Sequence, residues 1–168
     1  MKRACRSTVP TRGSGVLYRR HRTSPLPLAR NPDMSGPVRI HLSRRKGFDL
    51  QALSIATNGL PAVKVDRSTG FGNPFPVASA KLMNGTEQWV VGTWNGPSMW
   101  IQPTQAEALG LSVKAFRAWL ESAAQQPVLA RVTKELRGRN LACWCKPGAC
   151  CHADVLLEIA NRPVCEES

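Results

Sequence analysis

Four of the six cysteines of this chain fall between residues 143 and 151, in the run Cys143-Trp144-Cys145-Lys146-Pro147-Gly148-Ala149-Cys150-Cys151-His152, and no other stretch constrains the fold as strongly. Leu141 to Cys145 alternates as a strand does, so Cys143 and Cys145 point to one face and Trp144 to the other. Lys146-Pro147-Gly148 must turn the chain. Cys150-Cys151-His152 then arrives where Asp154 and an apolar run over Val155 to Asn161 open the closing helix. Any fold that accepts this segment has to bring a strand end and a helix start together, with three or four soft ligands at the junction. Such clustering in a chain without an export signal points to metal or thiol chemistry rather than to a disulfide framework.

No apolar run reaches the length of a signal-peptide core or a membrane span, so the expected location is the cytoplasm and no membrane partner is expected. The formal charge of +12 resembles a nucleic-acid signature until it is divided along the chain. Residues 1 to 33 hold eight basic side chains against Asp33 alone, whereas the rest carries 15 basic and 10 acidic residues. The remaining +5 is compatible with a phosphate-bearing ligand such as a nucleotide but does not indicate a polyanion groove, so domain charge leaves a nucleic-acid partner open. Residues 1–36, with four prolines before residue 33 and few large apolar side chains, form the expected disordered basic leader, and Met34 is the expected true start. Residues 37–162 form the folded domain, and 163–168 a tail.

Within 37–162 the pattern alternates strands and helices. Val38 to Leu42 and Ala62 to Val65 predict strands, and Phe48 to Thr57 a short helix through Phe48, Leu50, Leu53 and Ile55, stopped at Asn58-Gly59. Gln88 to Trp94 and Ser98 to Gln102 predict a hairpin turned at Asn95-Gly96-Pro97. Thr104 and Glu107 have capping-box spacing, and Gly110 is expected to divide the helix that follows, with Ser112 capping its second half. Pro127 to Gly138 predicts a further helix. The class is α/β: a single compact domain with a mixed or mostly parallel sheet flanked by helices.

Two segments carry candidate chemistry. At the cysteine cluster three readings stand together: Cys143, Cys145, Cys151 and His152 as tetrahedral zinc ligands, Cys151 as a nucleophile served by His152, or the cysteines as small core residues. If the site is catalytic, Asp154 or Asp66 is the candidate general base. The second segment, Asp66 to Phe75, leaves the end of a strand as ligand loops of α/β sheets do. There Arg67 could pair with a phosphate or carboxylate, Gly70 and Gly72 could let backbone N–H groups approach an anion, and Asn73 could bond a base or sugar edge. The bland reading is a wide turn anchored by Phe71 and Phe75. Ser43-Arg44-Arg45-Lys46 is by default a solvated charge run, and would add a phosphate-attracting surface only if it lay beside Arg67. Trp89, Trp94, Trp100 and Trp119 read as packing residues, and His21 and His41 carry little information.

Val63-Lys64-Val65-Asp66-Arg67 with Gly72-Asn73-Pro74-Phe75, and Asn140 to Cys145 with Cys151-His152-Ala153-Asp154-Val155-Leu156-Leu157, resemble a family of small bacterial and phage proteins, the domain of unknown function numbered four-three-two-six. The resemblance runs from about Val38 to Asn161. It implies no activity, but it implies that the two loops are the family's two signatures and meet in one site. The chain departs from the family pattern at Gly70-Phe71, where relatives usually have a basic residue and tryptophan, and at Cys150, an extra thiol. The resulting expectation is a nucleotide- or nucleic-acid-processing protein with a zinc or thiolate centre. The alternative is a non-catalytic phage or mobile-element binding module with a structural zinc or a buried cysteine core.

Overall fold

The computed structural model describes residues 36–93 and 96–163. The expected leader up to residue 35, the tail from 164 and the hairpin tip at Trp94 and Asn95 lie outside the described residues. In chain order the elements are β1 (Arg39–His41), α1 (Leu50–Asn58), β2 (Ala62–Lys64), β3 (Val77–Lys81), β4 (Glu87–Thr93), β5 (Gly96–Gln102), α2 (Gln105–Leu120), α3 (Gln126–Leu136), β6 (Asn140–Cys143) and α4 (His152–Ala160), with 3-10 turns at Arg67–Thr69 and Ala123–Gln125.

The class is α/β, with two small sheets in place of the one expected. β1, β6 and β2 form a parallel sheet in that spatial order, and β3, β4 and β5 an antiparallel one. The predicted hairpin is β4 and β5, and β3 extends it at the other edge. β3 left little trace in the sequence because Val77-Ala78-Ser79-Ala80 offers only small residues and one β-branched side chain to alternate.

Period-two alternation along β6 divides the core. Leu141 and Cys143 face α2, α3 and α4, where they join buried Phe116, Leu120, Val132, Leu136, Val155, Leu156 and Ile159. Ala142 faces the other way and packs with Ile40, Leu42 and Ala62, against Phe48 and Leu50. In β1 the same alternation sends Ile40 to the second layer. Arg39 and His41 go to the face of the cysteines, where His41 pairs in register with Cys143.

Two helix predictions require correction. α1 does not bury Leu53 and Ile55, which are 43% and 51% exposed; its one buried residue is Ser54. It docks through polar groups instead. The Gln51 side-chain amide donates to the Ala62 carbonyl (2.8 Å) and accepts from the Ala62 N–H (3.0 Å), completing the hydrogen bonding of the edge strand β2. Asn58 and Ser54 bond the fully buried Asn140 at the start of β6.

α2 begins at the predicted capping box but runs unbroken through Gly110. A glycine there costs roughly 1 kcal/mol of helix propensity. The buried stripe of Ala108, Ser112, Phe116 and Leu120, one residue every four, supplies the tertiary packing that offsets it. Ser112 is accordingly no cap: it is buried, and its hydroxyl donates to the Phe75 carbonyl (2.7 Å).

Candidate metal centre

β6 ends at Cys143 and α4 starts at His152, so the strand–turn–helix junction is short. The turn between them closes with Ala149 N–H donating to Lys146 O (3.2 Å), and Gly148 supplies the φ of +78° that a side chain would oppose. Cys151, not Asp154, opens α4, its Sγ accepting from the Ala153 N–H (3.4 Å). α4 therefore starts at His152, three residues before the predicted Val155.

The geometry brings Cys143, Cys145, Cys151 and His152 together: one donor atom from each lies within 4.8 Å of all the others, and there is no disulfide among them. Cys143 Sγ stands 3.5 Å from Cys145 Sγ and 3.9 Å from His152 Nδ1, and Cys151 Sγ is also 3.9 Å from that nitrogen. Cys143, Cys151 and His152 are buried, and Cys145 is half-buried. His152 Nε2 lies 2.6 Å from the Val65 carbonyl oxygen. A carbonyl only accepts, so Nε2 carries the proton, and the Nδ1 lone pair faces the sulfurs. Phe116 fixes the ring from the side, edge to face at 5.7 Å.

Hydrogen bonds from Cys145 and then Cys151 hold the Cys143 thiol down to about 3, while the Cys143 contact and that of Cys151 push Cys145 up. Three sulfurs and one ring nitrogen thus converge on a common space. A soft divalent cation could occupy the space these donors surround.

β1 supplies two supports that the sequence did not reveal. His41 Nδ1 donates to the Cys145 carbonyl (3.0 Å), and Arg39 donates to Ala149 O (3.0 Å) and to Asp154 Oδ2 (2.8 Å). Burial works against the Arg39 charge, yet Asp154 and the nearby Cys151 and Cys145 hold its proton more firmly than usual. The available signal was their odd-numbered spacing on a strand whose Ile40 faces the opposite layer. Asp154, a candidate base from sequence, is committed to this ion pair, and burial pushes its carboxyl up against the pull of Arg39.

The second candidate loop meets the cluster. Asp66, Arg67, Ser68, Gly72, Asn73, Trp144, Cys143, Cys145 and His152 all line one cleft of about 440 Å³, with Phe75, Val77 and Leu109 on its apolar wall. Several loop residues nevertheless have work other than that expected. Burial opposes the Asp66 charge, but hydrogen bonds from Lys64, Ser68 and Trp144 outweigh it and hold the carboxyl at about 2, too low for a general base near neutrality. Its bond from Trp144 Nε1 (3.2 Å) ties one loop to the other.

Asn73 offers no free edge. Its Nδ2 donates to Ser112 Oγ (2.9 Å), and its Oδ1 accepts from Phe75 N–H (2.8 Å). Arg67 alone among the named loop side chains is exposed and without a hydrogen-bond or ion-pair partner among the described residues.

Gly72, which also lines the cleft, packs closely against the backbone of Arg67. A Cβ there would stand 2.5 Å from Arg67 N and 2.6 Å from its Cα. Gly72→Ala should therefore force the loop open and cost about 2 kcal/mol, in the range for overpacking. A lower denaturant midpoint at unchanged m-value would show it; an unchanged midpoint would contradict the close approach.

The model of a family described as Domain of unknown function (DUF4326) matches residues 54–162. No curated protein and no solved structure matches the chain.

Proposed function

The chain belongs to the DUF4326 family, and because membership carries no activity, we propose from the site that this is a zinc-binding module whose Cys143, Cys145, Cys151 and His152 hold one ion beside a cleft for a phosphate-bearing ligand such as a nucleotide. The observation that carries the metal half is the donor geometry. Four donors placed tetrahedrally around zinc at ~2.3 Å stand ~3.7 Å apart, and the separations of 3.5 and 3.9 Å already approach that figure. Three thiols and an imidazole are the soft set zinc prefers, and a second nitrogen bonded to a backbone carbonyl is how ligating histidines are held.

Four protein donors fill the coordination shell, and both candidate carboxylates are engaged elsewhere. This favours a structural ion that pins β6 to α4, and it favours binding over turnover. Elemental analysis with thiol titration tests the reading. Near-stoichiometric zinc with protected thiols is expected, whereas metal-free protein with freely reactive thiols would overturn it.

Arg67 supports the ligand half, being an unpaired guanidinium on the lip of the cleft. AMP should bind in calorimetric titration, and Arg67→Ala should weaken it at least tenfold with zinc content unchanged. Equal affinity in the variant would remove the phosphate reading while leaving the metal centre standing.

A further inference from the structure

Parallel strands in one sheet end on the same edge, and the loops that leave their carboxyl ends are where open α/β sheets bind ligands. Here the carboxyl ends of β1, β6 and β2 deliver three loops to one edge: residues 42–48, 144–150 and 66–76. Those loops carry Arg44, Arg45, Lys46, Lys146 and Arg67, and none of the five forms an ion pair among the described residues. The acidic groups nearby are spent. Asp66 is paired with Lys64, Asp154 with Arg39, and Asp49 caps α1.

A second cavity lies on the same edge. It has a volume of about 580 Å³ and is lined by His41, Arg45, Lys46, Phe48 and Leu53. The wall between the two cavities is built from contacts already in place. Arg44 lies over the Trp144 ring at 4.6 Å, and Trp144 lines the first cleft; His41 lines the second cavity and bonds Cys145, which lines the first. Two hollows, each with an apolar wall and at least one cation, thus flank the Arg44–Trp144 contact, where Trp144, 38% exposed, can carry an unstacked base.

We propose that this edge binds single-stranded nucleic acid, its backbone following Arg67, Lys146, Arg45 and Lys46 from one cavity to the other across the Arg44–Trp144 contact. The proposal rests on the phosphate reading of the cleft and extends it from one nucleotide to a strand. Two adjoining hollows demand a ligand with repeated phosphates, and a base can enter either hollow only if it is splayed from its partner, which excludes a duplex. Division of the net charge along the sequence missed this edge because the signal is local: the domain is only modestly basic, and most of its acids are used in pairs elsewhere.

The test uses the full chain and a fluorescein-labelled dT10 followed by anisotropy. Wild-type protein should bind, and binding should weaken roughly 50-fold between 50 and 200 mM salt, as expected when about four phosphates are neutralised on a single strand. The Arg44→Ala/Arg45→Ala/Lys46→Ala variant retains residues 1–33 and should lose at least 20-fold in affinity, while Lys114→Ala/Lys134→Ala, on α2 and α3, should change it less than threefold. Circular dichroism and zinc content of the same samples establish that each variant is folded and loaded. Equal affinity of wild type and triple variant would overturn the proposal, as would equal competition by a duplex or by polyglutamate of matched charge. AMP bound with no gain for dT10 would overturn the strand and leave the nucleotide cleft. Zinc-free wild type would instead fail the metal reading alone.

Discussion

Cys151→Ser is expected to lose the metal and to unfold at the temperature at which the chelated wild type unfolds. Cys151 is 1% exposed at the junction of the loop and α4, within the main core cluster. Serine is the informative replacement because it is a strong N-cap. Its hydroxyl can take over the bond that Sγ receives from Ala153 N–H, so the start of α4 is not itself sacrificed. What is removed is a ligand. Binding of a structural zinc contributes on the order of 10 kcal/mol in small domains, comparable with the whole stability of a domain of this size.

Wild type with metal should therefore unfold cooperatively, and excess chelator should lower its midpoint to that of the variant, which chelator should not shift further. Cys150→Ser, one residue away but exposed and outside the cluster, should change stability by no more than about 0.5 kcal/mol. Thermal unfolding by circular dichroism, with and without chelator, checks all three. A Cys151→Ser midpoint within a few degrees of the metal-loaded wild type would defeat the structural-metal reading.

The contrast between Cys150 and Cys151 shows what the sequence could convey. C-x-C on a strand and Cys-His at a helix start are local patterns, and the turn between them is short, so chain geometry alone placed the four donors together. The same holds for the capping box of α2, for β1, whose apolar and polar residues alternate, and for the short apolar run of β2. Contacts that rest on long-range register were not legible. Arg39 and His41 reach the site only because β6 inserts between β1 and β2, more than 70 residues from either.

Asn73 and Asp66 look like ligand-binding residues because free amides and carboxylates in glycine-rich loops commonly are. Here Ser112 lies 39 residues from Asn73 and Trp144 lies 78 from Asp66, and these distant partners satisfy them internally. α1 misleads for a related reason. Its apolar residues suggested a hydrophobic face, but the buried partner it meets is the side chain of Asn140, so the polar Ser54 and Asn58, four residues apart, turn inward.

That asparagine carries the second large expectation: Asn140→Leu should destabilise the domain by about 3 kcal/mol although it adds apolar volume at a fully buried position. Asn140 Oδ1 accepts from Val38 N–H (2.8 Å) and from Asn58 Nδ2 (2.9 Å), while its Nδ2 donates to Ser54 Oγ (2.8 Å), Asn58 Oδ1 (2.6 Å) and Leu60 O (3.3 Å). One amide thus joins the approach to β1, the whole C-terminal half of α1 and the loop into β2. No buried side-chain polar atom among the described residues lacks a partner, and leucine would break that condition at several groups at once. Each buried group left unpaired costs about 1–3 kcal/mol; relaxation and the added apolar contact keep the sum below the simple total.

Asn140→Asp separates lost hydrogen bonds from lost shape. An aspartate keeps the volume and the two bonds to Oδ1 but turns a lone pair toward Leu60 O and Asn58 Oδ1. Burial beside these acceptors raises its folded pKa above the unfolded value of about 3.9, because the charged form is the one disfavoured. A group raised in this way contributes its stability below the unfolded value and loses it as pH rises through the folded one. The aspartate variant should therefore be most nearly native near pH 4 and progressively weaker toward pH 8, whereas the leucine variant should show the same deficit relative to wild type at both. Denaturant unfolding at the two pH values distinguishes them, and a pH-independent deficit for aspartate would mean that water reaches Asn140 and that α1 is not sealed onto β6 through this amide.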